Sequence, residues 1–225
     1  MPRVIKHPDI RRDELLAIAA ERFGDKGYDG TSVDEIIRRA GLSKGAFYHY
    51  FPSKEALLEA LAGRAAEQAL ARVTGELEAP GLTALDKLRA FFGHAGEDKG
   101  SRSAATFGAI FRPENLALYH RLHSAVSAVL ARPLAEVIRQ GMTESLFSVD
   151  DPVTTAEIIL ALGSVTHDMV AGCLSASTAD ERAVALAGLE RRLVQQGIAI
   201  DRILGLPDRT VQLVRPGSAR ELFGW

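Results

Sequence analysis

The stretch from Ser32 to Ser53 constrains the fold more than any other part of the chain. Ser32 and Glu35 stand three residues apart at the head of an apolar stripe of Val33, Ile36, Ile37 and Ala40, a capping-box pattern that opens a helix of about two turns. Gly41, Leu42 and Ser43 then make a tight turn, and Lys44 to Phe51 form another helix, which Pro52 stops. A first helix precedes the pair, from about Asp9 to Lys26, with Leu15, Ile18, Ala19 and Phe23 on one face. Gly27 ends it, since glycine takes the left-handed cap conformation at low cost.

Helical periodicity continues beyond this point, and no stretch alternates apolar and polar residues between hairpin turns. The fold is expected to be all-α, with about nine helices. Ser53 caps a fourth helix from Lys54 to about Leu77, rich in alanine and leucine and closed by Pro80 and Gly81. Further helices are expected at about 83–95, 103–111, 114–140, 152–177 and 179–205, with Pro133 kinking or breaking the 114–140 segment. The division expected is a three-helix domain over 1–53, a larger helical domain over 54–205 and an irregular tail over 206–225, where Pro207, Pro216 and Gly217 fall.

On the helix that starts at Lys44, Phe47 and Phe51 lie one turn apart and face the core together with Leu42. Ala46, Tyr48, His49 and Tyr50 are left to cover the outward surface. The spacing is that of a helix-turn-helix, an amphipathic helix, a short glycine-containing turn and a second helix whose exposed face suits a groove. Lys44 sits where its ammonium can meet a phosphate or a base edge, and Gly45 and Ala46 are small enough for close approach to DNA. Tyr48, His49 and Tyr50 can donate to phosphate oxygens, and Lys54 begins the next helix, whose terminal amides also favour an anion. Arg38 and Arg39 read as solvated or helix-pairing charges.

Charge distribution supports this reading better than total charge does. The chain of 225 residues has a formal net charge of -2, with 47% hydrophobic and 25% charged residues, an ordinary globular composition. From Ile36 to Lys54, however, Arg38, Arg39, Lys44 and Lys54 occur with no acidic residue among them. A single cysteine, Cys173, excludes an intramolecular disulfide framework and reads as a buried thiol. The polar residues 1–12 and the lack of an uninterrupted apolar run near the roughly 20 residues of a membrane span lead us to expect a cytoplasmic protein with no membrane partner.

The run Phe23-Gly24-Asp25-Lys26-Gly27-Tyr28-Asp29-Gly30-Thr31-Ser32-Val33, followed by Gly41-Leu42-Ser43-Lys44-Gly45-Ala46-Phe47-Tyr48-His49-Tyr50-Phe51-Pro52-Ser53-Lys54-Glu55-Ala56-Leu57, resembles the DNA-binding signature of the tetracycline-repressor (TetR) family. Ala46 and Phe47 stand where that family more often has threonine and leucine, which removes one hydroxyl from the expected surface. The expected DNA-contacting set is Thr31, Ser32, Lys44, Gly45, Ala46, Tyr48, His49, Tyr50 and Lys54. The resemblance implies a homodimeric repressor that reads a pseudo-palindromic double-stranded operator and is released by a small-molecule effector bound in its larger domain.

That larger domain carries no comparable signature. Phe91, His94, Phe107, Phe111, Tyr119, His120, His123 and His167 gather in the middle of the chain and are the candidate effector-binding residues, as an apolar cavity with a few polar groups would require. A plain core would use the same residues, and the sequence supports either. His120 and His123 have i, i+3 spacing but no acidic or thiol companion nearby, so neither a metal nor a cofactor is expected. No His-Glu-x-x-His, Gly-x-Ser-x-Gly or phosphate-binding glycine loop occurs, and the chain is not read as an enzyme. The helices at about 152–177 and 179–205 are apolar on more than one face, more than a surface helix needs. The surplus points to a second subunit, and the resemblance implies a dimer interface built from these two helices.

Overall fold

The computed structural model describes residues 7–93, 108–112, 115–215 and 217–223. Among these, nine α-helices occur and no strand. The first three are α1 (Pro8–Lys26), α2 (Val33–Ala40) and α3 (Lys44–Tyr50), followed by the long α4 (Lys54–Leu77). Three serines set their starts: Ser32, Ser43 and Ser53 each accept a hydrogen bond from the backbone N–H three residues on. Gly41 ends α2 at φ +63°, ψ +33°, and Leu42 N–H then reaches back to the Ile37 carbonyl at 3.1 Å, a turn that a side chain with a β-carbon resists. Only half of the capping box expected at Ser32 forms. The Glu35 carboxylate accepts instead from Lys26 Nζ at 2.7 Å, a bond that ties α1 to α2.

These four helices share a core in which Leu15, Ala19, Ile36, Phe47, Leu57 and Leu58 are fully buried. Ile110, Leu118, Tyr119 and Leu122 complete that core from farther along the chain. The first core therefore extends well beyond residue 53.

The rest of the chain comprises α5 (Ala84–Gly93), a 3-10 turn at Gly108–Phe111, α6 (Leu116–Thr143), α7 (Pro152–Ala161), a 3-10 turn at Leu162–Thr166, α8 (His167–Ser175) and α9 (Ala179–Leu204). Three of these differ from expectation. Helix α6 continues through Pro133, whose missing N–H leaves the Val129 carbonyl without its helical partner. Leu134, Ala135, Val137 and Ile138 are buried directly after it, and that packing holds the helix together across the proline. The expected helix at 152–177 is interrupted by the 3-10 turn at 162–166, so it becomes α7 and α8. Of the expected 103–111 helix, residues 103–107 lie outside the described residues and the remainder is the 3-10 turn. The span Pro152–Ser175 is long and apolar enough by length and composition to cross a bilayer, although polar residues interrupt its apolar run. It also carries Glu157, His167 and Asp168.

The C-terminal segment is irregular but docked. Asp201 on α9 is fully buried, and its carboxylate accepts from the N–H groups of Thr210 (3.0 Å) and Val211 (2.8 Å). Gly197, one turn earlier, lets the segment approach: a β-carbon there would stand 2.5 Å from the Val211 carbonyl oxygen. Arg202 adds a two-pronged pair with Asp208, and a last 3-10 turn, Ala219–Phe223, buries Phe223 against Cys173 and Leu189.

Candidate DNA-reading face and effector cavity

Helix α3 has only seven residues, too short to persist without tertiary support. Phe47 and Phe51 supply that support, with 0% and 2% exposure and ring centroids 6.2 Å apart. The Arg12 guanidinium lies over the Phe51 ring at 5.3 Å. Anchored in this way, the helix turns Lys44, Gly45, Tyr48 and His49 outward as exposed residues, with Ala46 and Tyr50 half-buried at its flanks. Space around Gly45 is open, so its surface is accessible to a large partner. The Tyr48 ring rests edge-on against Phe47 at 5.3 Å, and His49 and Tyr50 meet edge-on at 5.5 Å.

The cations around this face are held to different degrees. Lys44 Nζ is 3.9 Å from the Asp34 carboxylate, a pair exposed on both sides and therefore weak. Arg38 is exposed, whereas Arg39 pairs with Glu21 of α1 at 3.3 Å. Lys54 departs from expectation: its ammonium sits 4.0 Å above the Tyr28 ring and is half-buried, and burial pushes its pKa down. The Tyr28 hydroxyl in turn donates to Glu55 at 3.1 Å.

Ser32 is exposed at the start of α2, with its hydroxyl oxygen occupied by the Glu35 N–H. Thr31 does not belong to the face. It is 1% exposed, and its hydroxyl donates to the carbonyls of Arg22 (3.0 Å) and Gly27 (2.9 Å). The hydroxyl ties the loop to the end of α1, so the expectation that Thr31 meets DNA is corrected.

A cavity of about 660 Å³ lies on the other side of α4. Ala62, Ala65, Ala66, Ala69, Leu70 and Val73 form one wall at helical spacing, opposite Tyr119, Leu122, His123, Val126 and Leu130 of α6. Phe91, Phe111, Tyr119 and His123, four of the expected effector residues, line it. His120 does not; it is exposed on the outer side of α6. His167 is buried behind the wall, with its ring 4.7 Å from that of Tyr119 and 5.8 Å from that of Phe111. His94 and Phe107 lie outside the described residues. Sequence reasoning missed the alanines of α4, together with Thr166 and Phe223. The alanines were legible only as helix formers, although their i, i+3, i+4, i+7 spacing marks a stripe of small side chains.

Polar groups of the cavity are largely engaged with one another. The Tyr119 hydroxyl donates to the Gly163 carbonyl at 3.1 Å, and the Thr166 hydroxyl donates to the same oxygen at 2.7 Å. Burial pushes the Tyr119 hydroxyl above the usual phenol value. Burial also pushes His123 below the usual imidazole value, with His120 adding repulsion and the Leu160 carbonyl opposing both. Among the described residues no group of three or more His, Cys, Asp or Glu could hold a metal ion.

The sequence pattern of the family described as "Bacterial regulatory proteins, tetR family" matches residues 15–61, the segment that builds α1 to α3 and the first turns of α4. Over that N-terminal segment, about a fifth of the chain, it is similar to the tetR family. The HTH-type transcriptional repressor KstR2 of Mycolicibacterium smegmatis is 45% identical over 58 residues, 26% of this chain. The chain thus spans 28% of that relative's length. Tetracycline-repressor-like architecture extends further than sequence identity does. The R. erythropolis transcriptional repressor QsdR superposes with a TM-score of 0.60 at 14% identity, over 89% of this chain and 97% of that one. RolR without ligand gives 0.57 at 21% identity, over 95% and 96%. At such identities the tetR fold is what is shared.

Proposed function

We propose that the chain is a ligand-responsive transcriptional repressor that binds a pseudo-palindromic operator as a homodimer and is released when a small apolar or amphipathic effector fills the α4–α6 cavity. The observation that carries this reading is the face of α3. Two buried phenylalanines hold a seven-residue helix so that Lys44, Gly45, Tyr48 and His49 project into solvent, at the spacing of a recognition helix. Such a helix fits a major groove.

A dimer is supported by the apolar residues that α7 to α9 leave uncovered. Val153, Ile158, Val165, Val184 and Val194 are exposed there, five of the nine large hydrophobic residues found exposed in the described chain. Two copies joined on this side offer two recognition helices to half-sites about 34–36 Å apart. The effector then acts by favouring a dimer whose helices no longer match that spacing, and linkage requires it to bind the DNA-free form more tightly, by roughly 1–3 kcal/mol. The cytoplasm is the fitting compartment for such a protein.

Selection of bound fragments from random DNA, followed by gel shifts, tests the proposal. A two-fold-related site bound by a dimer is expected, and recovery of no preferred sequence would overturn it. On the selected site, Lys44→Ala should weaken binding and reduce the slope of log affinity against log salt by about 1. Lys54, seated on Tyr28, is expected to contribute less to that slope.

A further inference from the structure

This inference rests on reading the cavity as the effector site and concerns the chemistry of what enters it. We propose that the cavity takes an uncharged, elongated, mostly apolar molecule bearing a hydroxyl group that acts as hydrogen-bond donor.

Charge is the first constraint. Among the described residues no acidic side chain lines the cavity. Arg72, the one permanently cationic lining residue among them, is exposed on α4 and already has an interaction partner of its own. An ionised group placed among Ala66, Leu122 and Leu189 would thus lose its water without gaining a counter-charge, which is strongly unfavourable.

Hydrogen-bond capacity is the second. Tyr119 spends its hydroxyl proton on the Gly163 carbonyl, and the Thr166 proton is shared between that carbonyl and the Tyr119 oxygen. Each keeps lone pairs, so each can only accept from a further partner. His123, whose imidazole is held below its usual value by burial, has Ser127 Oγ 3.5 Å from Nδ1 and the Leu160 carbonyl as a second partner, so its ring already has partners within the protein. Behind Tyr119, His167 has Nδ1 3.0 Å from the Asp168 carboxylate, and its Nε2 is buried with no hydrogen-bond partner. The polar end of the cavity is therefore rich in acceptors and poor in donors. A carboxylate, ester or ether brings more acceptors to this place, whereas an alcohol or phenol brings the missing proton.

Shape is the third. The α4 wall runs from Ala62 to Val73, which at a rise of about 1.5 Å per residue is roughly 16 Å long. Four alanines keep the channel clear over roughly the first 10 Å of it. Phe223, delivered by the docked C-terminal segment, lines the cavity as well.

The test uses the full chain and 1,6-diphenylhexatriene, a rod-shaped fluorophore with no hydrogen-bonding group. Competitors are dodecan-1-ol, its isomer 1-methoxyundecane, and dodecanoate at neutral pH, each below its aggregation limit. Dodecan-1-ol should displace the fluorophore at a concentration about tenfold lower than the isomeric ether, and dodecanoate should be the weakest of the three. Thr166→Val should narrow the alcohol-to-ether ratio to about threefold or less, because one acceptor is gone while the wall keeps its volume. Equal potency of alcohol and ether, stronger displacement by dodecanoate, or a ratio unmoved by Thr166→Val would each overturn the inference while leaving an effector cavity in place. Failure of diphenylhexatriene itself to bind would sink both the effector-cavity reading and this refinement of it.

Discussion

In the first helices Phe23, Phe47 and Phe51 fill the interior to at most 2% exposure, whereas along α4 the alanines at 62, 65, 66 and 69 stand back and leave about 660 Å³ unfilled. One region makes a working surface by packing everything behind it; the other makes one by withholding side chains. For the proposed reading of a groove, a helix of seven residues can tolerate little movement, so its support has to be close-packed. A small-molecule site needs volume, and small residues on a rigid helix supply it without disturbing the backbone. The comparison shows that the same amino acid, alanine, carries no local message in one helix and defines the site in another.

The sharpest way to break this comparison is Phe47→Ala. Full burial of the ring predicts a loss of about 3–5 kcal/mol in unfolding free energy and loss of operator binding, measured by denaturant titration and gel shift. A stable, DNA-binding variant would show that α3 does not depend on its anchor. Next in size is Asp201→Ala, which strips two backbone donors of their acceptor. Each such loss costs about 1–3 kcal/mol where the donor is buried, as at Val211, and limited proteolysis should then cut within residues 206–223 faster than in the parent chain. Thr31→Val separates structure from recognition: it should lower stability by about 1 kcal/mol with unchanged salt dependence of operator binding, and a changed salt slope would return Thr31 to the DNA-facing set. The smallest effect on stability belongs to Ala69→Leu. On a half-exposed cavity wall it should shift the unfolding midpoint by no more than about 0.5 kcal/mol equivalent, yet reduce diphenylhexatriene binding severely; undiminished binding would show that this stripe does not bound the site.

The contrast also explains what the sequence disclosed. The elements α1 to α4 were readable because their determinants are local: Ser32, Ser43 and Ser53 lie three residues from the N–H groups they satisfy, and Gly41 stands at the turn that needs it. Phe47 and Phe51 show their common face by a spacing of four. Thr31 was misread because its partners, Arg22 and Gly27, are fixed only when the loop folds back on α1. In the larger region, aromatic and histidine residues were visible as a group, but the separation of Tyr119 and His123 from His120 depends on how α6 is rotated against α4. Break points were read unevenly: Pro133 reads as a helix breaker until the burial of its neighbours is known, and the interruption at 162–166 is announced only by the pair Gly163-Ser164. Asp201 gave no sign at all, since its partners lie nine and ten residues away in a segment without periodicity.

Tyr119 and Leu122 belong both to the core that supports α1 to α4 and to the wall of the cavity. On the proposed reading, a guest molecule would lean on the very rings and methyl groups against which α1 to α4 also pack. For the proposed repressor no chain of intermediaries would be needed to relay its arrival, because floor and ceiling share one joist.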